Sequence, residues 1–189
     1  MPFAFQRRRG TTAQHASFTG LLGELTVDTD KDVVVVHDGS TAGGFPLARA
    51  KGGTLEDSVV RGLEEDINIV ASAATGTINF DVSTASVWYY TTNATANHTL
   101  NFRYSSSSSL NNNLATGDTI TLVWLNTNGA TAYYPNTIQI DGTTITGIKW
   151  QGGTAVAAGN ASSIDAYVFT IIKTASATFT VLASQTKFA

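Results

Sequence analysis

Alternation of apolar and polar side chains predicts β-strands in the first part of the chain. Gly23–Asp28 alternates with the period of a half-buried strand, and Val33–Val36 is a short apolar run suited to burial on both faces. Residues 28–32 between them carry three aspartates, which are turn formers, and predict a hairpin loop. Residues 43–46, with two glycines and a proline, predict irregular structure at the end of this part of the chain. We therefore expect a small β-module over residues 1–52.

A helical period follows this module over residues 53–67. Leu55, Val59, Leu63 and Ile67 recur every four residues, with charged residues between them. A stripe this short is marginal alone and needs a partner surface. In a trimer, three copies would pack their stripes about the axis, so Val59 and Leu63 are candidate trimer contacts.

The remainder of the chain, residues 68–189, has the pattern of many short strands separated by turns. Ile120, Leu122 and Trp124 fall on one face of the clearest candidate, because side chains alternate across a strand. Strand density of this kind predicts an antiparallel β-sandwich or jelly roll, and so an all-β chain with a short helical connector. The nine candidates are Ile67–Val70, Thr77–Val82, Val87–Thr91, Thr99–Tyr104, Thr119–Leu125, Thr137–Ile140, Thr144–Trp150, Ala166–Lys173 and Thr178–Leu182.

Charge is concentrated before residue 67 and supports a division into two modules. Of 11 Lys/Arg and 14 Asp/Glu, seven and ten precede residue 67, which leaves four of each in the rest of the chain. A net charge of −3 argues against nucleic-acid binding, which needs a basic surface. Arg7, Arg8 and Arg9 form the basic cluster of the sequence, and a solvated or interfacial strand face explains them better than a nucleic-acid arm.

The chain contains no cysteine, so disulfides and Cys-based metal sites or nucleophiles are excluded. No stretch approaches the ~18 apolar residues of a membrane-spanning helix. A polar run follows the arginines in place of an apolar signal-peptide segment. We expect no membrane insertion and synthesis in a reducing cytoplasm.

Two short motifs carry residue types of known sites, and turns explain both better. Residues 28–32 begin like a calcium loop, but Val33 stands where the sharp-turn glycine is required and no glutamate follows at the twelfth position. His37, Asp38 and Ser40 are neighbours around a turn and cannot align as nucleophile, base and orienter. We therefore predict no metal, no cofactor and no catalytic residue at these positions.

The acidic residues of the second module do not predict a hydrolase site. Asp118 and Asp141 lie beside glycine in turn sequences, and Asp81 and Asp165 complete the set. A glycosidase needs two opposed carboxyl groups, and acids in loops are usually turn formers. The sequence therefore favours a non-enzymatic protein.

Aromatic residues in predicted loops are the candidate recognition surface. Tyr133 and Tyr134 are adjacent in a loop before Pro135, and Trp150 precedes the Gly152–Gly153 turn. Aromatic rings with polar tips suit carbohydrate and protein partners. We expect these three to contact a glycan or protein partner.

Three segments near the N-terminus resemble a known phage module: residues 8–11 (RRGT), residues 23–30 (GELTVDTD) and residues 36–47 (VHDGSTAGGFPL). Their order and spacing are similar to the N-terminal module of phage tail-fibre and major-tropism-determinant proteins. The resemblance implies a small β-prism-like structure that trimerises and anchors a fibre to other virion proteins. It therefore implies a homotrimer located in the virion.

The second module also carries a resemblance, in residues 71–80 (ASAATGTINF), residues 149–153 (KWQGG) and the terminal residues 181–189. These segments are similar to a C-terminal domain of virion structural proteins in tailed phages of marine bacteria. The chain lacks the shaft repeat of a typical fibre. Together the resemblances imply a trimeric tail-fibre or appendage subunit, with a capsid decoration protein and a polysaccharide depolymerase as the alternatives.

Overall fold

The structure is a computed structural model, and it describes residues 7–47, 62 and 64–189. The chain divides into two compact units, Met1–Gly62 and Leu63–Ala189. The predicted connector helix, with Val59 and Leu63, falls on residues 53–67, of which 53–61 and 63 lie outside the described residues. Its helical conformation stays a prediction, whereas Ile67 begins a strand.

In its described residues, 7–47 and 62, the N-terminal unit is a small four-stranded sheet with one short helix. Strand order is β1-β2-β3-β4, in which β1 runs parallel to β2 and the other neighbours pair antiparallel. The predicted strands and the hairpin loop at residues 29–32 are confirmed. The elements are β1 (Arg9–Gly10), α1 (Thr12–Ala16), β2 (Leu25–Asp28), β3 (Val33–Val36) and β4 (Phe45–Pro46).

Two of these elements differ from the sequence expectation. Residues 43–46 do not end the module irregularly, because Phe45 and Pro46 pair with β3 as an edge strand, a position that tolerates proline. Helix α1 forms in a run of mostly polar residues that lacks the apolar periodicity of an amphipathic helix. A capping box starts it, in which the Thr11 side chain accepts from Gln14 N and the Gln14 side chain accepts from Thr11 N.

The C-terminal unit is all-β apart from one short helix and a 3₁₀ turn, as the density of strand patterns predicts. Most predicted strands are confirmed to within a few residues. Its elements are β5 (Ile67–Ala73), β6 (Gly76–Asp81), β7 (Val87–Thr92), β8 (His98–Arg103), α2 (Leu110–Asn113), β9 (Thr119–Asn128), β10 (Pro135–Ile140), β11 (Thr143–Thr144), β12 (Lys149–Trp150), a 3₁₀ turn (Gln151–Gly153), β13 (Ser163–Ala175) and β14 (Thr178–Phe188).

Strand pairing in this unit is mixed, which corrects the antiparallel prediction. The strands form a six-stranded sheet of order β12-β14-β13-β9-β7-β5 and a four-stranded sheet of order β11-β10-β8-β6. From β5 to β10 successive strands alternate between the sheets, so that β5, β7 and β9 are parallel in one and β6, β8 and β10 in the other. Each short connection between these strands crosses from one sheet to the other and does not close a hairpin. Apolar periodicity does not indicate whether a strand pairs with its neighbour in sequence or with a strand further along. Antiparallel pairing is confined to β9-β13-β14 and β10-β11.

One predicted strand, Thr144–Trp150, divides into β11 and β12. Gly147 between them has φ 72°, in the left-handed region that favours glycine. The chain therefore leaves the four-stranded sheet after β11 and joins the edge of the six-stranded sheet as β12.

Aromatic side chains from both sheets fill one core. The rings of Phe80 and Trp88 lie 4.9 Å apart, and those of Phe102 and Phe169 lie 5.0 Å apart, each pair joining the four-stranded to the six-stranded sheet. Trp124 is fully buried, in agreement with the predicted inward face of β9. The residues of β9, β13 and β14 that alternate with these core positions form the opposite face of the six-stranded sheet.

Candidate functional site

The arginine cluster lies on the exposed rim of a hollow in the N-terminal unit. Arg8 forms an ion pair with Glu24 at 3.1 Å (Nη1 to Oε1), and its guanidinium lies 4.9 Å from the centre of the Phe18 ring. Arg7, Arg8 and Arg9 are all exposed. The hollow has a volume of about 240 Å³ and is lined by Arg8, Arg9, Gly10, Gln14, His15, Phe18 and Thr26. The arginines therefore present positive charge and an aromatic-backed surface at one place.

Beneath this hollow, one threonine joins two buried histidines. Nε2 of His15 and Nε2 of His37 lie 2.8 and 2.9 Å from Oγ1 of Thr26. The carbonyl of Thr11 only accepts, so Nδ1 of His15 donates to it at 3.0 Å. The amide of Gly20 only donates, so Nδ1 of His37 accepts from it at 3.3 Å. The chain of bonds then has one direction: His37 Nε2–H donates to Thr26, and the Thr26 hydroxyl donates to His15.

The two site-like motifs of the N-terminal unit form turns. Asp28 accepts from Thr12 Oγ1 and from the amides of Asp30 and Lys31. Burial raises the pKa of Asp28, but these hydrogen bonds outweigh it and lower the pKa. The carboxylate thus serves the β2–β3 turn.

Asp38 has the same role in the next turn. Its carboxylate accepts from the amides and hydroxyls of Ser40 and Thr41, and the backbone bond from Thr41 contributes most to lowering its pKa. His37 points instead to Thr26, so the three triad-type residues do not converge.

In the C-terminal unit the structure brings two of the three candidate recognition residues together. Tyr134 and Trp150 line one pocket of about 200 Å³, although they are 16 positions apart in sequence. None of the lining side chains is charged. The complete lining is Tyr134, Pro135, Asn136, Thr137, Ile138, Thr144, Ile145, Ile148, Trp150, Ala155 and Val156.

Trp150 also borders a second hollow, of about 390 Å³, on its other side. The edge of its indole ring packs against Phe169, with ring centres 6.3 Å apart. Its side chain is half-buried. Trp150 thus packs against Phe169 and remains partly exposed in the pocket that it shares with Tyr134.

Tyr133 is not part of this pocket lining. Its amide donates to Asn128 Oδ1, and its carbonyl accepts from the side-chain amides of Asn126 and Asn128, each at 3.0 Å. These bonds fix the loop that carries Tyr134. Tyr133 therefore positions the site through its backbone.

A buried polar cluster that sequence reasoning did not single out lies next to this loop. Asp165 is fully buried and accepts from Asn128 Nδ2 at 3.2 Å and from Asn160 N and Nδ2 at 2.8 Å. Gln185 donates to Asp165 and to the Tyr167 hydroxyl. Burial, with the nearby charge of Asp165, raises the pKa of Tyr167. Alternation along β13 places Asp165 on the same face as Tyr167. That alternation was the signal in the sequence that could have indicated a buried Asp165.

Within residues 68–189, the other three acidic residues each have a separate structural partner. Asp81 pairs with Arg103, and Asp118 accepts from Ala115 N at 2.8 Å. Asp141 accepts from the first two amides of α2, at 2.7 and 2.9 Å. Each carboxylate is therefore committed to a turn, a helix start or a cross-strand ion pair.

No group of three or more His, Cys, Asp or Glu side chains in residues 7–47, 62 and 64–189 is placed to hold a metal ion. Within the same ranges, no helix has the length and hydropathy to cross a membrane.

Comparison with known proteins identifies the N-terminal module. Residues 6–41 match the family described as major tropism determinant N-terminal domain. Over 49 residues the chain is 74% identical to the tail fiber receptor-binding protein of Bordetella phage BPP-1, an alignment that covers 26% of this chain and 13% of that protein. Two solved structures, the M1 and I1 variants of the major tropism determinant, are each 76% identical over 24% of this chain and 12% of theirs, with a TM-score of 0.24.

The chain therefore aligns with only about an eighth of the length of these relatives. The resemblance of the N-terminal module predicted from residues 8–47 is confirmed, while that of the C-terminal unit to virion proteins of marine phages stays a prediction. Residues 6–41 form an N-terminal module of the major-tropism-determinant, tail-fibre type.

Proposed function

We propose that this chain is a non-enzymatic subunit of a phage tail fibre or appendage, which docks to the virion as a homotrimer through its N-terminal module. The observation that carries the proposal is the 74% identity of 49 residues to a tail fiber receptor-binding protein. The exposed Arg7, Arg8 and Arg9, with Val59 and Leu63 of the connector, are the proposed docking and trimer contacts. The C-terminal unit is then carried outward as the part that meets the host.

The proposed contact with the host is the pocket of Tyr134 and Trp150, and the proposed ligand is a cell-surface glycan. Aromatic faces pack against the C–H faces of sugar rings, and an uncharged lining suits a neutral sugar better than a charged peptide. The volume of about 200 Å³ is below the ~300–1,000 Å³ of pockets that enclose drug-sized ligands. The pocket therefore suits one terminal sugar ring of a longer chain.

Adsorption competition tests this proposal. Purified full chain is added to host cells before phage particles that carry it, and the rate of phage adsorption is measured. We expect concentration-dependent slowing of adsorption and a trimeric mass by light scattering. Unchanged adsorption at saturating protein would contradict receptor binding, and a monomeric mass would contradict the trimer.

Phage particles test where the chain is located in the virion, and the purified chain tests whether it has catalytic activity. A copy number per particle that is a small multiple of three indicates a tail appendage, whereas hundreds of copies indicate a capsid decoration. Incubation of the chain with host polysaccharide is expected to release no oligosaccharide. Release would overturn the non-enzymatic assignment.

A further inference from the structure

The six-stranded sheet has one face turned away from the core, here called the outer face, and its composition is unusual. Strands β5, β7 and β9 contain no charged residue. The charged residues of β13 and β14 are Asp165, Lys173 and Lys187. Asp165 and Lys173 are buried on the inner side. Lys187 lies opposite Asp165 in the strand register, so its side chain leaves the sheet on the inner side too. Across β5, β7, β9, β13 and β14 the outer face therefore carries no charge. The two-residue margin strand β12 adds Lys149, which pairs with Leu182 on this face.

The register shows that the outer face is also largely apolar. Two continuous rows of side chains cross the five strands, and none of their members belongs to the core cluster. One row is Ile67, Val87, Val123, Val168 and Ser184, and the next is Ile69, Tyr89, Leu125, Ala166 and Thr186. At the margins, Ile69 is 63% exposed and Phe188 is 56% exposed.

We propose that the outer face is an interface between copies of this chain. Five strands about 4.8 Å apart, at about 3.3 Å per residue, give a face on the order of 700 Å². That is near the ~800 Å² that each partner contributes to a stable protein interface. Monomeric proteins rarely expose a contiguous apolar patch of more than a few hundred Å².

A second copy of the chain is the occupant that the composition favours. A face whose one charged residue, Lys149, lies at its margin offers little charge complementarity to an acidic or basic partner, whereas a copy supplies an equally apolar surface of matching size. This step rests on the proposed function, because association of the N-terminal units raises the effective concentration of the outer faces. The first residue of β5 follows the last residue of the N-terminal unit by only five positions, Gly62 to Ile67.

The surface is not uniformly flat. A hollow of about 390 Å³ opens at one side of the outer face, between β12 and β14, and Val168, Thr170, Leu182 and Ser184 contribute to its lining. Leu182 there is 43% exposed. Such a hollow accepts a projecting side chain of the neighbouring copy, which fixes the register of the contact.

Thiol labelling of the full chain tests the interface, since the chain has no cysteine of its own. Ile69→Cys places a thiol on the outer face at the edge strand β5. Thr77→Cys, an exposed position on β6, the edge strand of the other sheet, is the matched control. In the trimer we expect maleimide to label Cys at position 69 at least about tenfold more slowly than at position 77.

The outcomes separate this inference from the proposed function. A trimer in which both thiols react equally fast overturns the outer-face interface and leaves the N-terminal assembly intact. A monomeric mass overturns both. If circular dichroism shows that Ile69→Cys does not fold, Leu182→Cys supplies the same test at the opposite margin of the outer face. Labelling of Leu182→Cys as fast as that of Thr77→Cys would overturn the interface.

Discussion

Nε2 of His37 lies 2.9 Å from Oγ1 of Thr26, and both side chains are buried. The same hydroxyl bonds His15 at 2.8 Å. A single side-chain oxygen therefore satisfies two buried imidazoles, one on α1 and one that follows β3. Because buried polar groups are costly when unpaired, this oxygen is central to the stability of the N-terminal module.

Thr26→Val is expected to destabilise that module by about 2–6 kcal/mol. Valine has nearly the same shape, so the loss comes from two ring nitrogens left without a partner, each at ~1–3 kcal/mol. Amide hydrogen exchange of β2 and β3, followed by mass spectrometry, measures the local free energy of opening. Thr19→Val, at an exposed position, is the control and should change it by less than about 0.5 kcal/mol. Equal protection in both variants would refute the role of the hydroxyl.

Stability of the C-terminal unit is expected to fall between pH 6.5 and pH 4 because of His98. Burial lowers the pKa of His98 from 6.5 to about 4, and Nδ1 bonds the carbonyl of Ala96 at 3.3 Å. Within this window the unfolded chain binds a proton that the folded chain excludes, so the folded state loses stability as the pH decreases. A difference of about 2.5 pKa units corresponds to roughly 3 kcal/mol.

The variant His98→Phe isolates this contribution. It keeps a ring beside Trp124, whose centre lies 5.5 Å from that of His98, and removes the titration. Urea unfolding at pH 7 and pH 4 should show that the wild type loses about 3 kcal/mol more than the variant. The carboxylates titrate in both chains and cancel. Equal losses would show that His98 does not titrate in this window.

A buried lysine is expected to stabilise the end of helix α2. Lys173 Nζ donates to the carbonyls of Asn111 and Leu114, at 2.6 and 2.8 Å. These groups have no partner within so short a helix. Lys173→Met should therefore lower the free energy of unfolding by about 1–3 kcal/mol, measured by urea denaturation. Lys187→Met, at an exposed position of the adjacent strand, should have little effect, and a comparable loss there would indicate a general charge effect.

Strand positions were predictable in this chain, and strand partners were not. The alternation in β9 placed Leu122 and Trp124 on one face, and both are buried, because one face of a strand must leave water. Parallel and antiparallel neighbours bury the same face, so the alternation of β5 to β10 between two sheets left no trace in the pattern. Pairing is decided by how the connections cross, which depends on packing of the whole unit.

The candidate site was predictable in part for a similar reason. Exposed loops next to turn signals indicated Tyr134 and Trp150, but their common pocket depends on the break at Gly147 that moves Trp150 to the other sheet. The sequence also does not show which glycines are required by close contacts in the fold. A Cβ on Gly20 would lie 2.5 Å from Cγ of His37, so this glycine is required by a side chain 17 positions away.

The recognition pocket yields the last prediction, which concerns Trp150. Trp150→Ala removes a ring that lines the pocket with Tyr134, and we expect glycan binding to weaken at least about tenfold, equivalent to ~1.4 kcal/mol. Loss of the contact with Phe169 should also reduce stability, so binding is compared at a temperature where circular dichroism shows both proteins folded. Tyr104→Ala removes a half-buried aromatic ring outside the pocket lining and is the matched control. A glycan array probed with labelled full chain measures both variants. If Trp150→Ala binds the same glycans as strongly as Tyr104→Ala, the host contact lies elsewhere on the chain.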